Sequence, residues 1–477
     1  MLPFEIQNFF RIWKKQIFLC FALVFAFQVI VLQLNLFMIS IVALPIYFVA
    51  VKMLTRRYTL RPISDGRMLF EIFTLSLIIR VAEVFVLGFI FAQFNPLGLP
   101  FMGNGDDINY HESMRYIYGY WQEYGLTTVE HTKIQFNSGA YSGYPYFGAF
   151  MMKIFGPNFY AARIGNAIAS ALTVLVVFGI LANYTDRFKT IVTTLIFAFS
   201  PILTVFAACN LKDTLLLLCI LTTVWSMTNF LLGRRWLVSI VAALASIAFM
   251  IFCRPASIFV LLVSGLIFLF FRFRNRPRST LLVVTNILLL CATLFLWRWC
   301  DNRGLTTEYE EFVQLNIDAT QRTIAGDSKA GVARFSAAKL LSAPLFIACS
   351  PFLPPVTMAY FETKEVTINY TFHGMLAYVT LLPAMIYGVL IALKNRKYDP
   401  IPLLLVIVCF FYKVAQANSL LTILSPRQSL PAIALLMLLI PAGLDQYSRR
   451  PHQVFTWTVN AATIFITLAF NVYRYFY

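Results

Sequence analysis

Charge is scarce in this chain: only 12% of its 477 residues are Asp, Glu, Lys or Arg, about half the share of a soluble domain. That scarcity excludes an ordinary water-soluble fold. Metal-ligating patterns are scarce too. The eight Cys (20, 209, 219, 253, 291, 300, 349, 409) fall mostly inside apolar runs, no C-x-x-C pair occurs, and there are four His, so a zinc or iron–sulfur site is not expected. No Gly/Ser linker or low-complexity tract divides the chain, which therefore reads as one transmembrane domain over 1–477. The inverted repeat that marks many transporters is also missing. The first apolar run lacks a small-residue cleavage site after it and reads as a retained helix, not a signal peptide.

What is abundant is hydrophobicity: 60% of residues, including 47 Phe. It is arranged in runs of roughly 18–25 residues, the length that crosses about 30 Å of hydrocarbon. The pattern predicts an all-α polytopic membrane protein with about 13 spans: 16–34, 36–53, 69–93, 159–182, 189–208, 211–232, 236–253, 256–271, 280–298, 372–393, 400–417, 427–444 and 453–473. A further apolar segment, 335–360, is broken by Pro344, Pro351, Pro354 and Pro355 and reads as re-entrant or interfacial.

Lys and Arg set the orientation. Every second connection is basic: Arg11/Lys14/Lys15, Lys52 to Arg67, Arg187/Lys189, Arg234/Arg235, Arg272 to Arg278, Lys394 to Lys397, and Arg449/Arg450. The expected topology has the N-terminus cytoplasmic and the C-terminus outside. These seven segments carry a net +16 of the total +17. The basic surplus is thus a topogenic signal facing anionic lipid, and no nucleic-acid partner is implied. Two external segments are long, 94–158 and 299–371, and long loops without linker composition are usually functional.

The first long loop carries Asn104-Gly-Asp106-Asp107-Ile-Asn-Tyr110-His111-Glu112. Adjacent carboxylates repel each other, which can raise one pKa and provide a base near neutral pH. The stretch 108–124 predicts an amphipathic interfacial helix. Helix capping explains the same acids equally well, because Asp is favoured in a first turn.

Four cations go against the positive-inside pattern. Arg163, Lys212, Arg254 and Arg427 each stand near the start of an inward-heading span, where the helix dipole favours an anion by about 0.3–1 kcal/mol. Four at one depth suggest a shared anion such as phosphate. The alternative for each is snorkelling to the interface or pairing with an acid such as Asp213. Asn210-Leu-Lys-Asp213 has capping-box spacing. Arg80 and Glu83, three apart in one span, are placed to form a structural ion pair. Lys413 lies at the external end of its span, to reach the anion site or snorkel.

Asp106-Asp107-x-x-Tyr110, followed by Tyr144-Pro-Tyr-Phe-Gly-Ala-Phe-Met-Met-Lys-Ile-Phe-Gly156 and Ala161-Ala-Arg163-Ile-Gly-Asn166, resembles the GT-C class of membrane glycosyltransferases. That class includes the protein O-mannosyltransferases and the lipid A aminoarabinose transferases. The arrangement is similar over about residues 70–260 and looser beyond. The resemblance implies a polyprenyl-phosphate sugar donor (undecaprenyl phosphate in a bacterial cytoplasmic membrane), a glycan or lipid-linked acceptor, and work on the periplasmic face. It places the base on Asp106, with Asp107 orienting the acceptor or a bound ion beside Tyr110 and His111. Arg163, Lys212, Arg254 and Arg427 would hold the phosphate. Some members need a divalent metal, which would sit near Asp106 and Asp107. Departures from the family pattern are Asp107, where Glu is common, and His111, where a small residue is common. Two other readings compete: an O-antigen-type polymerase or ligase gripping a lipid pyrophosphate with the same arginines, and a lipid-linked sugar transporter or flippase.

Overall fold

A computed structural model describes residues 2–31, 35–61, 63–95, 98–101, 106–127, 143–273, 366–396, 399–418, 426–444 and 454–463, with positions 129, 291, 447 and 465. Apart from position 291, the expected span 280–298 lies outside the described residues, as does the Pro-broken segment 335–360.

The described residues are helical, in the order α1 Phe4–Val31, α2 Asn35–Leu60, α3 Asp65–Phe94, α4 Asp106–Tyr124, α5 Gly143–Phe155, α6 Ala161–Leu181, α7 Arg187–Ala198, α8 Pro201–Ala207, α9 Asp213–Leu231, α10 Trp236–Cys253 and α11 Pro255–Phe273; then α12 Val366–Lys394, α13 Pro400–Asn418, α14 Pro426–Met437 and α15 Ile440–Leu444. Five helices are long and apolar enough to cross a membrane: 65–93, 161–181, 213–231, 236–253 and 376–394. A sixth span forms if α7 and α8, bent by 46° at their junction, are counted together. The expected spans 256–271 and 400–417 coincide with shorter apolar helices.

Outward faces identify the solvent. Phe70, Ile78, Phe85, Val86 and Phe89 of α3 and Trp236, Leu237, Val238, Val241 and Leu244 of α10 are exposed. A helix that is apolar on both faces belongs in lipid. The centre of the bundle is α6 and α9, most of whose residues are buried. Ala161, Ala162, Gly165, Ala167, Ala169, Ser170 and Ala171 give α6 a small-residue surface, which allows close helix approach where burial from water gives no drive.

Local chemistry sets the breaks. Pro201 stands at the first turn of α8 and cannot continue the α7 ladder, which leaves the Ala198 carbonyl unbonded within its helix. Arg80 Nη1 donates to that carbonyl at 2.8 Å, and Arg80 Nε donates to Ser170 Oγ at 2.7 Å. Ser76 takes a further bond from Nη1. The expected Arg80–Glu83 ion pair is therefore replaced. Arg80 directs its donors to α6 and α7, while Glu83 is hydrogen-bonded with Thr204 of α8 and acts on Arg80 through its charge. The pair still ties α3 to three other helices, but through the carbonyl that the bend exposes.

At the other side of the bundle, Trp13 Nε1 donates to Thr380 Oγ1 at 2.8 Å and Tyr47 OH donates to the Ile196 carbonyl at 3.0 Å, joining α1 to α12 and α2 to α7. Gly388 and Gly443 let α12 and α15 touch backbone to backbone: a Cβ on Gly443 would overlap the Ala384 carbonyl. Replacing Gly443 by Val is expected to destabilise the protein by about 1–3 kcal/mol through overpacking, measured as a lower thermal midpoint in detergent. An unchanged midpoint would contradict this contact.

Candidate active site

Asp106, Asp107, Tyr110, His111, Arg163, Lys212 and Arg254 lie around the junction of α4, α5, α6, the 208–212 turn and the α10–α11 corner. Asp106 and Asp107 occupy the first turn of α4, at the positive end of its dipole. Asp107 is buried and Asp106 half-buried. The helix expected over 108–124 is α4, seated on α5 because Gly148 leaves room for Met114.

One chain of hydrogen bonds holds the junction. The two N–H groups of Asn166 Nδ2 are shared among the Tyr144 hydroxyl at 2.9 Å and the carbonyls of Cys209 and Leu211 at 2.8 and 2.9 Å. The Tyr144 hydroxyl donates to Asn210 Oδ1 at 3.0 Å, and Asn210 Nδ2 donates to the Asp107 carbonyl at 2.8 Å. The α8–α9 turn is buried, so its carbonyls require donors, and Asn166 supplies them. The capping box expected at Asn210–Asp213 is not formed. α9 begins at Asp213 with Lys212 as its cap residue, and the Asn210 amide bonds across to α4 and α5 instead.

Arg163 lies one turn before Asn166 and is fully buried. Its guanidinium faces the rings of Phe91, Phe101 and Tyr160 at 5.8, 5.6 and 6.0 Å. None of its three nitrogens has a hydrogen-bond partner among the described residues. Ring faces return about 2 kcal/mol, whereas a buried ion costs several kcal/mol. Such a cation calls for an anion.

Lys212 is buried, and its charge reaches Cys253, as does that of Asp213. Arg254 Nη1 lies 3.8 Å from Asp213 Oδ1, so Arg254 is drawn to the acid foreseen as its structural partner while keeping a third of its side chain exposed. Arg427 falls in the first turn of α14, but its side chain lies outside the described residues. Lys413 is buried in α13 one turn from Cys409.

Tyr110 packs edge-on against Tyr144, with ring centroids 5.0 Å apart. The His111 ring sits between Phe101 and Phe159 at 5.1 and 4.8 Å. Burial, with the charges of Arg115 and Arg163, pushes its pKa down to about 4, so it is neutral at pH 7. Burial and the nearby Asp107 charge hold the Tyr144 phenol well above its ordinary value, which keeps it a neutral donor. Among the described residues no three His, Cys, Asp or Glu side chains gather to hold a metal.

Roles for Tyr144, Asn166 and Asn210 were not read from the sequence, although all three stand in the quoted motifs. Their signal was available: strongly polar side chains at the ends of apolar runs.

Residues 143–298 match the family described as dolichyl-phosphate-mannose-protein mannosyltransferase. The match covers about a third of the chain. It contains Tyr144, Arg163, Lys212 and Arg254 and begins after Asp106 and Asp107. No curated protein matches the chain. The family match supports a membrane glycosyltransferase of the GT-C type that uses a polyprenyl-phosphate sugar, the class the motifs resemble.

Two outcomes follow. Asn166→Ala leaves the Cys209 and Leu211 carbonyls without their donor and should cost about 1–3 kcal/mol, read as a lower thermal midpoint; no loss would remove Asn166 from the junction. For His111, the folded pKa lies below the unfolded one, so its contribution to stability is complete above about pH 6.5 and is lost as pH falls toward 4. His111→Gln should flatten the melting profile over that window, and an unaltered profile would contradict the burial of a neutral imidazole.

Proposed function

We propose that this protein transfers a sugar from a polyprenyl phosphate to an acceptor hydroxyl on the extracytoplasmic face of a bacterial cytoplasmic membrane, in cell-surface glycan or glycolipid assembly. The observation that carries the reading is Arg163: a fully buried guanidinium without a hydrogen-bond partner among the described residues, joined through Asn166 and Tyr144 to the start of α4. Such a cation is prepared for the phosphate that departs in glycosyl transfer.

In this mechanism Asp106 accepts the proton of the acceptor hydroxyl. The acceptor oxygen forms a bond to the anomeric carbon as the bond from that carbon to the phosphate oxygen breaks, and the bonding pair leaves with the polyprenyl phosphate. One displacement inverts the anomeric centre. Arg163, with Lys212, Arg254 and Arg427, neutralises the departing phosphate. Asp107, whose carbonyl is fixed by Asn210, orients the acceptor with Tyr110, and His111 stays neutral beside Arg163. A divalent ion, if one is needed, would be held by Asp106 and Asp107 and would supply positive charge beside the phosphate. The thirteen-span arrangement, with the N-terminus inside and the C-terminus outside, belongs to this proposal because it puts Asp106 and the four cations on one external face.

Asp106→Asn should lower sugar transfer by purified protein about 10²–10⁴-fold, the usual worth of a general base, with the thermal midpoint retained. If Asp106→Asn kept full activity while Arg254→Ala lost it, the polymerase or ligase reading, which rests on arginines and a pyrophosphate, would replace this one. Transfer in detergent, where no compartments exist, separates an enzyme from a flippase.

A further inference from the structure

The opposite ends of α6 and α9 carry a second constellation that the transfer reaction does not use. A cavity of about 540 Å³ opens there between α3, α6 and α9. It lies at the C-terminal ends of α6 and α9, whereas Arg163 and Lys212 stand at their N-terminal ends. α6 has 21 residues, so about 30 Å separates the two sites.

Its walls are apolar: Leu69, Leu175, Val176, Phe178 and Trp225. Its rim is basic, formed by Arg234 and Arg235. Neither arginine has a side-chain hydrogen bond or ion pair among the described residues. The connection is turned sharply by Gly233 at φ +66° and Arg235 at φ +46°, and the Arg234 amide donates to the Asn229 carbonyl at 2.9 Å.

Between wall and rim sits an amide pair. Asn183 Nδ2 donates to Asn229 Oδ1 at 3.1 Å and to Thr228 Oγ1 at 3.2 Å. The acceptor side of Asn229 is thereby satisfied. Its Nδ2, on a residue only 3% exposed that lines the cavity, has no partner among the described residues. A buried donor left unmade costs about 1–3 kcal/mol. Snorkelling accounts for arginines at a membrane face, but it does not account for a buried amide donor without a partner among the described residues, on a residue that lines the same cavity.

We propose that this cavity binds one anionic phospholipid at the membrane face opposite the candidate active site. The phosphate diester accepts from Asn229 Nδ2 and is neutralised by Arg234 and Arg235. An acyl chain lies along Val176, Phe178 and Trp225. Headgroup chemistry and tail chemistry meet at one depth here, and a phospholipid is the ligand that carries both. The inference is independent of the transfer reaction, and neither arginine belongs to that machinery.

The test uses full-length protein in neutral detergent micelles doped with phosphatidylglycerol or phosphatidylcholine whose tails are brominated to quench tryptophan. The Trp225 signal is the difference between wild type and Trp225→Phe. Phosphatidylglycerol is expected to quench it at roughly thirtyfold lower mole fraction than phosphatidylcholine, as two arginines near an anionic surface imply. Arg234→Ala/Arg235→Ala should abolish the preference. Inorganic phosphate should not displace the lipid; if it does so at equal concentration, the cavity reads free phosphate and the lipid assignment falls. Equal quenching of the Trp225 signal by the two lipids overturns the proposal, and that comparison needs only the conservative Trp225→Phe variant to fold.

Discussion

The Asn166 carboxamide is the interaction on which the rest of the site depends. It stands where a helix begins, a turn must be buried, and a phenol must be held. Its donors satisfy two carbonyls of the α8–α9 turn and the Tyr144 hydroxyl. Through Tyr144 and Asn210 the same bonds fix the first turn of α4, where the paired carboxylates stand. In a medium without water, backbone groups must find partners inside the protein. The turn that carries Lys212 can therefore exist only with such a donor beside it. Structural need and site geometry are met by one side chain.

Electrostatics then divides the molecule. One end of the central helix pair gathers acids and a buried cation around a hydrogen-bonded junction. The other end presents the basic connections. The dielectric at each end differs, so the same residue type does different work. Arg163 is surrounded by ring faces, whereas Arg57, Arg67 and Arg187 form exposed bridges to Glu71 and Asp65 at 2.8, 3.2 and 3.0 Å, each worth little in water.

Much of this was legible in the sequence for a physical reason. Apolar runs of membrane-crossing length and helix periodicity are local properties, so the helical class and the positions of α3, α6, α9 and α10 followed from composition. The unusual cations were legible because each departs from the alternation of basic connections along the sequence. Partner choice was not. Spacing put Glu83 beside Arg80, but the Ala198 carbonyl, exposed by a bend at Pro201, took the guanidinium instead. Spacing also suggested a cap for Asn210, yet its amide bonds to residues about 66 and 103 positions earlier in the chain. Such choices depend on which helices become neighbours, and one helix's pattern does not encode that.

The buried charge on Arg163, repaid only in part by the ring faces around it, also ties the proposed chemistry to the stability of the fold. If phosphate binds there as proposed, it returns solvation energy to the whole fold. On that proposal, supply of the donor would govern how long each molecule survives in the membrane as well as how fast it works, because binding to the folded form alone slows its loss to opening and proteolysis.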